Sequence, residues 1–451
     1  MFLQGEYIGT TVQAKPLAVT RPEDIAHSLH QRPNFVWLDA NAAVNRGGRW
    51  SYFASDPAEI IQVSSADPDP LASLRALVDH TGYWMGWIGY EAARPLSNRT
   101  NHRQQCPRLP VMWFARYPWI IAWDHERARG VVHGDVPHTL HALFTNHSFS
   151  AQPQVGSIIV DDAQQHEHAI REALELIHAG QIYQVNLARR WRVHYDGDPF
   201  ALYLAMRTLS PVPYGAYMRT DECAVLSRSM ECFLDWEGPG RVLRSQPIKG
   251  TIAQNGRAFS LLEAKLRADA KEHAEHTMIV DLMRNDLSRV ATPHSVKVVN
   301  PYAIYPYADL CHMISTVQCQ TTSSTDLESL FRATFPPGSI SGTPKRAALE
   351  AIENLEPATR GLFSGAIGIV FPDGSAKFSV AIRTATFNNR HMEYWAGGGI
   401  VGASIPEREL RETELKAKVF VDAIGQVSRN DLRSSPVRSY RNSPNHPAFE
   451  L

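Results

Sequence analysis

A chain of 451 residues, 44% hydrophobic and 20% charged, can bury a large core and reads as globular. Its formal net charge of −1 gives no electrostatic reason for nucleic acid or an anionic membrane as partner, so a small-molecule substrate is expected. The first twenty residues lack a basic start followed by an apolar run, and the longest apolar stretch, Val111 to Trp123, is broken by Arg116 and Pro118. No secretory signal or membrane span is predicted, and a cytoplasmic location is expected.

Residues 1–150 form an N-terminal region whose aromatic-rich runs, Val111 to Ala115 and Trp119 to Trp123 followed by Val131-Val132, predict a sheet. A polar stretch with Pro and Ser at about 145–160 marks a boundary. Beyond it, Ile170, Leu174 and Ile177 recur at helical spacing over 163–179, and Gly180 is placed to end that helix. Residues 182–195 then alternate as a strand, with Tyr183, Val185, Leu187, Trp191 and Val193 on one face and Gln184, Asn186, Arg190 and Arg192 on the other. Helices are predicted over 260–289, 343–355 and 406–424, the second with Thr343 as cap and Pro344 at its first position. Strands are predicted over 363–371, 376–387 and 393–401. The last 24 residues, Ser428 to Leu451, hold three prolines, four arginines and almost no apolar periodicity, which predicts a disordered tail after a catalytic region at 160–427.

Several residues are equipped for chemistry. Lys249, in Pro-Ile-Lys-Gly-Thr at 247–251, is held between a proline and a glycine and can be aimed at a substrate as nucleophile or base. Glu272 and Glu275 share one face of a predicted helix, and Glu409 with Glu412 repeats the spacing, with Lys416 a further turn along. Two such pairs can cage one hard cation through oxygen alone, which suits Mg²⁺. Either pair alone reads as a solvated helix face. His273 and His276 are expected to be solvated or supporting groups, and His312 a structural histidine. None of the 19 histidines stands at zinc-motif spacing. The five cysteines, at 106, 223, 232, 311 and 319, form no Cys-x-x-Cys and read as reduced, with Cys311 assigned to core packing. Ala396-Gly-Gly-Gly-Ile400 fits either an anion held by backbone amides or a glycine-rich bulge, and no nucleotide-binding loop is present.

Taken together, these segments resemble the chorismate-utilising enzymes. The likeness rests on Ile-Tyr-Gln-Val-Asn-Leu-Ala-Arg at 182–189, the Lys249 segment, Met-Ile-Val-Asp-Leu-Met-Arg-Asn-Asp at 278–286 and Pro-Gly-Ser-Ile-Ser-Gly-Thr-Pro-Lys at 337–345. It continues through Ala-Ile-Arg-Thr at 381–384, Ala-Gly-Gly-Gly-Ile-Val at 396–401 and Glu412-Thr413. It covers about 160–425; earlier residues match mainly at Gly-Arg-Trp-Ser-Tyr, 48–52, and Gly-Tyr-Glu, 89–91. Ser229-Met230-Glu231 stands where the family commonly has Ser-Pro-Glu.

The resemblance implies an α+β unit with a large two-sheet antiparallel core and helices outside. It also implies Mg²⁺ held mainly by Glu275 and Glu412, with Glu272 and Glu409 behind. Glu231 becomes the proton donor and Lys249 the nucleophile. Arg383, Lys416, Gly397 and Gly399 become contacts to a carboxylate, with Gly250, Thr251, His312, Ser339 and Phe363 also lining the substrate. Members that use water carry lysine where Gln184 stands, so ammonia is the implied nucleophile. Lysine at position 249 is typical of aminodeoxychorismate synthase component I, whereas anthranilate synthase has alanine. The implied function is therefore the first step from chorismate toward para-aminobenzoate and folate, with ammonia from a glutamine amidotransferase subunit. The alternatives are anthranilate synthase component I and, in a different class, a non-catalytic chorismate-binding regulatory protein. Retention of Glu231, Lys249 and both carboxylate pairs speaks against the regulator.

Overall fold

The computed structural model describes residues 15–17, 19, 21–41, 48–78, 82–96, 109–134, 153–253, 258–307 and 310–429. Two antiparallel sheets dominate it, one of 13 strands and one of 10, and strands from both ends of the sequence share each sheet. In the larger sheet, Val36–Asp39 pairs with Tyr214–Arg219, and the path runs on through Cys223–Ser229 and Thr384–Asn388 to His391–Ile400 and Gln184–Asp196. In the smaller, Tyr83–Ile88 pairs with Ala366–Val370, and the path continues through Ala376–Val380, Cys232–Trp236 and Val242–Gln246 to Leu310–Gln320. This is the expected two-sheet α+β architecture. Much of the proposed boundary at 145–160, and residues 430–451 of the predicted tail, lie outside the described residues, while Ser428 and Arg429, also assigned to that tail, continue the helix Pro406–Arg429 past its predicted end at 424. Among those described, no helix is long and apolar enough to cross a membrane.

The aromatic runs look continuously apolar because both faces of these strands are covered. Along Trp119–Asp124, Trp119, Ile121 and Trp123 enter the cluster beneath the helices, with Trp37, Phe200, Tyr203 and Phe420. Ile120 and Ala122 face the other way, into the layer holding Trp87, Trp113 and Ile367. A period of two thus feeds two separate cores.

Three predicted elements differ from the structure, each for a physical reason. The stretch 260–289 divides into Phe259–Ala268 and Ala270–Ser288, because Asp269 is extended and its side chain accepts from Glu272 N at 3.1 Å, capping a new helix. The helix at 343–355 begins at Lys345, and Thr343 does not cap it. Thr343 instead pairs with Gln184 in a short ladder, which holds Pro344 extended. The strand at 376–387 breaks at Ala381–Arg383, where the chain leaves the smaller sheet for the larger. The helix Ala163–His178 does end as predicted, with Gly180 at φ +72° and Gln181 N donating to Leu176 O.

A buried ion cluster ties the strand Val36–Asp39 to the rest. Asp39 Oδ2 accepts from Arg228 Nη1, Arg207 Nε and Tyr203 OH, each at 2.8 Å. The Asp39 and Arg228 side chains are fully buried. Burial alone would raise the Asp39 pKa, but the two guanidiniums outweigh it and hold the carboxylate ionised. Such a pair contributes only while every member is satisfied. Asp39→Ala strands a buried guanidinium, so chemical denaturation should show a loss of roughly 3–5 kcal/mol. A loss below about 1 kcal/mol, the range of exposed ion pairs, would contradict this account of the cluster.

Candidate active site

The chain passes between the sheets twice at adjacent points. Cys223–Ser229 lies in the larger sheet and Cys232–Trp236 in the smaller, so Glu231 sits in the crossing. Ala376–Val380 and Thr384–Asn388 make the reverse crossing and place Arg383 there, in the left-handed region at φ +51°. The two crossings are bonded to each other, Val380 N to Glu231 O at 3.1 Å and Arg228 N to Arg383 O at 3.0 Å. Ladders on both sides fix the backbone that carries these side chains.

Lys249 reaches the same place from Ile248–Ala253. Ile248 and Lys249 pair with Ile314 and Met313, then the register slips and Thr251 pairs with His312. Gly250 is the extra residue, at φ +74°, and a bulge of this kind re-aims its neighbour's side chain. Across the gap lies the glycine strip of His391–Ile400. A Cβ on Gly399 would stand 2.5 Å from Lys249 Nζ and 3.0 Å from Gln184 Nε2, so the amine occupies space that only glycine leaves open.

The strip also exposes backbone. Asn186 is paired with Gly399 and Ala188 with Gly397. Asn186 N donates to Ser341 O and Ala188 N to Glu356 Oε1, both away from the strip. These are therefore non-hydrogen-bonded pairs, and the amides of Gly397 and Gly399 point to the opposite edge. Lys416 Nζ meets Gly397 O on that edge at 2.7 Å and Glu412 Oε1 at 2.6 Å, while Lys416 O accepts from Arg383 Nη1 at 3.1 Å.

Burial pushes the Glu231 carboxyl up to about 7, against the opposing pull of Ser339, Lys249 and Lys416. The Ser339 hydroxyl lies close to it without a hydrogen bond of normal geometry. Burial, with Arg383 and Lys416 adding to it, lowers His312 to about 3 and keeps the imidazole neutral. Of the two roles expected for His276, solvated or supporting, its full burial excludes the first. Its Nε2 lies 2.7 Å from Ser315 Oγ, and burial together with Lys249 and His273 brings its pKa down to about 4. Cys311 is buried in the core, as expected.

The two carboxylate pairs flank the strip from different helices. Glu272 and the buried Glu275 lie on Ala270–Ser288, and Glu272 Oε2 would be 3.5 Å from a Cβ on Gly250. Glu409 and Glu412 lie on Pro406–Arg429, and their oxygens would be 3.1 and 3.7 Å from a Cβ on Gly398. Among the described residues no three His, Cys, Asp or Glu side chains converge closely enough to hold a metal ion. Phe363 stands at the far end, stacked on Trp395 with ring centroids 6.0 Å apart and packed with Ala188.

Sequence reading missed the groups that brace this site. Arg360, fully buried, donates to Glu356 Oε2 at 2.9 Å, Ile340 O at 3.0 Å, Ser364 Oγ at 3.0 Å and Asn186 O at 2.7 Å. Lys345 Nζ ties Asp286 Oδ2, Thr334 O and Pro336 O together at 2.6, 2.6 and 2.9 Å. The i, i+4 spacing of Glu356 and Arg360 was the available signal, and it is also that of an ordinary surface ion pair.

The pattern defining the family described as "chorismate binding enzyme" matches residues 33–422. The chain is 34% identical to aminodeoxychorismate synthase component 1 of Escherichia coli (strain K12) over 368 residues, 79% of this chain and 80% of that protein. It is 33% identical to anthranilate synthase component 1 of Saccharolobus solfataricus over 352 residues, 76% of this chain and 81% of that protein. The crystal structure of anthranilate synthase component I from Streptococcus pneumoniae TIGR4 superposes with a TM-score of 0.73 at 25% identity, covering 82% of this chain and 92% of that one.

The raised Glu231 carboxyl has a consequence for stability that needs no substrate. Below its ordinary value of 4.5 both folded and unfolded states hold the proton, and the contribution is complete. Between 4.5 and about 7 only the folded state holds it, so stability falls by roughly 3 kcal/mol and then levels off. Urea denaturation at pH 5 and pH 8 should show this loss in the native protein and a smaller one in Glu231→Gln. An identical difference in both proteins would contradict the assignment.

Proposed function

The chain belongs to the chorismate-binding enzyme family, and we propose that within it the chain is an aminodeoxychorismate synthase component 1, exchanging the 4-hydroxyl of chorismate for an amino group. The observation that carries this reading is the Lys249 amine set against the glycine strip beside Gln184, close enough to the buried Glu231 carboxyl to pull against its raised pKa. A carboxyl that keeps its proton near neutral pH can deliver it to a departing hydroxyl. An amine aimed through a bulge can add to the ring as that hydroxyl leaves.

Chorismate is a dianion, and the cations around the strip suit it. Arg383 and Lys416, with the outward amides of Gly397 and Gly399, would hold the side-chain carboxylate. Neutral His312 with Gly250, Thr251, Ser339 and Phe363 would line the ring. Glu231 protonates the 4-hydroxyl, and the amine lone pair of Lys249 forms a bond to C2 as both ring double bonds shift by one position and the C4–O bond breaks, releasing water. Ammonia then bonds to C4 as both double bonds return and the C2–N bond breaks, and the proton that the ammonia gives up passes through the departing lysine to Glu231. Two allylic shifts replace one substituent at one carbon.

The all-oxygen donor set on two helices fits a hard cation by its chemistry. Glu275 and Glu412, with Glu272 and Glu409 behind, would hold Mg²⁺, which when bound offsets the charge of the ring carboxylate. A glutamine amidotransferase subunit would supply ammonia. The "component 1" names of the relatives support that partnership.

The purified chain given chorismate, ammonium and Mg²⁺ should form 4-amino-4-deoxychorismate, read by liquid chromatography with mass detection. Excess chelator should abolish turnover, and Glu275→Gln or Glu412→Gln should raise the Mg²⁺ concentration needed for half-maximal rate. Anthranilate as the product would assign the chain to its anthranilate-forming relatives. Isochorismate would make water the nucleophile.

A further inference from the structure

Gly89-Tyr90-Glu91 leaves the end of the strand Tyr83–Ile88 and closes on the turn from Arg360 to Gly365, 270 residues away in the chain. Both backbone groups of Gly361 are taken. Tyr90 N donates to Gly361 O at 2.8 Å, and Gly361 N donates to Glu91 Oε1 at 3.1 Å. A Cβ on Gly89 would stand only 3.1 Å from Gly361 O, so glycine suits the close approach. The Arg360 guanidinium lies over two rings, 4.9 Å from the centre of Tyr90 and 5.5 Å from that of Phe363. The turn holds unusual backbone, with Gly361 at φ +61° and Ser364, which is not glycine, at φ +68°. Such a conformation persists only where its surroundings over-determine it.

A carboxylate is a poor choice for a contact that is only structural. Glu91 is 9% exposed, and burial raises its pKa above the ordinary 4.5 against the amides of Glu91, Gly361 and Arg360 and the Arg94 guanidinium. Glu393 stands across the cavity that Glu91, Arg94, Phe363 and Trp395 line, and behind the turn lie the Arg360–Glu356 pair and Tyr90, which burial keeps protonated. Below 4.5 folded and unfolded chains both hold the Glu91 proton. As pH rises through the raised value the folded carboxyl gives it up, and that contribution to stability is lost. Above that value the ionised carboxylate weakens the fold relative to a neutral amide of the same shape. What the charge supplies is a firmer grip on Gly361 N, since a hydrogen bond accepted by a carboxylate is about twice as strong as a neutral one.

We propose that Glu91 is a positioning residue for chorismate: by gripping Gly361 it sets the Phe363 ring and, through Arg360, the backbone of Asn186 and Ile340. The inference rests on the placing of Phe363 against the ring proposed above. Phe363 stands two residues beyond the gripped glycine and its N–H donates to Arg360 O at 3.2 Å, so a shift of the turn moves its ring. Arg360 carries the same shift to Asn186 O at 2.7 Å and Ile340 O at 3.0 Å. Protonation reduces the grip to a neutral hydrogen bond. Chorismate binding therefore loosens as the solution becomes more acid, through a group that never touches the substrate. Glu231 has the opposite requirement, since it must keep its proton to act.

Calorimetric titration with chorismate, with Mg²⁺ present and ammonium withheld, tests the grip in the native protein, Glu91→Gln and Phe363→Leu between pH 5 and pH 8. Other titrating groups act alike in the native protein and in Glu91→Gln, so the ratio of their dissociation constants isolates Glu91. That ratio should be about five at pH 8, where only the native residue is charged, and should fall toward one at pH 5. At pH 8 the urea midpoint of Glu91→Gln should be no lower than that of the native protein. Amide exchange in a peptide covering 360–365, read by mass spectrometry, should be faster in the variant at that pH. A ratio near one at pH 8, or one that does not change with pH, would overturn the grip and leave Glu91 an ordinary structural contact. Phe363→Leu binding chorismate as tightly as the native protein would instead overturn the placing of Phe363, and the proposal with it.

Discussion

Everything at this site depends on two crossings between sheets that run side by side. A strand can carry a side chain rigidly only while its ladder holds, and at Ser229–Cys232 and Val380–Thr384 the chain exchanges one ladder for another within a few residues. The bonds Val380 N to Glu231 O and Arg228 N to Arg383 O close the gap that the exchange would otherwise leave. Glu231 is consequently held out of water by backbone on both sides. Its raised pKa follows from that position more than from any partner.

The remaining functional groups are brought to the crossings by devices of different range. Lys249 needs only a local one, the bulge at Gly250. The Gln184 strand needs a distant one. The fully buried Arg360 holds Asn186 O and Ile340 O from one guanidinium, while Glu356 supports both Arg360 and Ala188 N. Lys345 and Asp286 play a similar part for the segment that carries Ser339, anchoring it to the helix of Glu272 and Glu275. Both are buried ion pairs whose hydrogen bonds are shared with backbone carbonyls or amides. Such pairs specify geometry more clearly than they add stability.

The parts legible in the sequence were those whose cause lies within a few residues. Gly180 ends its helix, the alternation from 182 to 195 is a strand, and the paired carboxylates lie on helices as their spacing implies. The identity of the family was legible because several such segments coincide. What could not be read depends on partners far away in the chain. The sequence left His276 as either a solvated or a supporting group, and only its cover by Leu310–Gln320 through Ser315 decides for the second. Thr343 looked like a cap because nothing in the sequence reveals its pairing with Gln184, 159 residues earlier. The break at Ala381–Arg383 answers to the second sheet, and Asn186 appeared only as one polar face of a strand until the Gly397–Gly399 strip was seen opposite it.

The central claim is that Lys249 attacks the substrate, and it can be tested without relying on turnover. With ammonium withheld, the second displacement lacks its reagent, so the native protein given chorismate and Mg²⁺ should accumulate a covalent adduct equal in mass to chorismate less one water. Intact-mass measurement and peptide mapping should place that adduct on Lys249 and find none in Lys249→Ala. A preparation that turns over once ammonium is restored, yet shows no adduct or carries it on another residue, would contradict the claim and leave Lys249 as a charge beside the substrate.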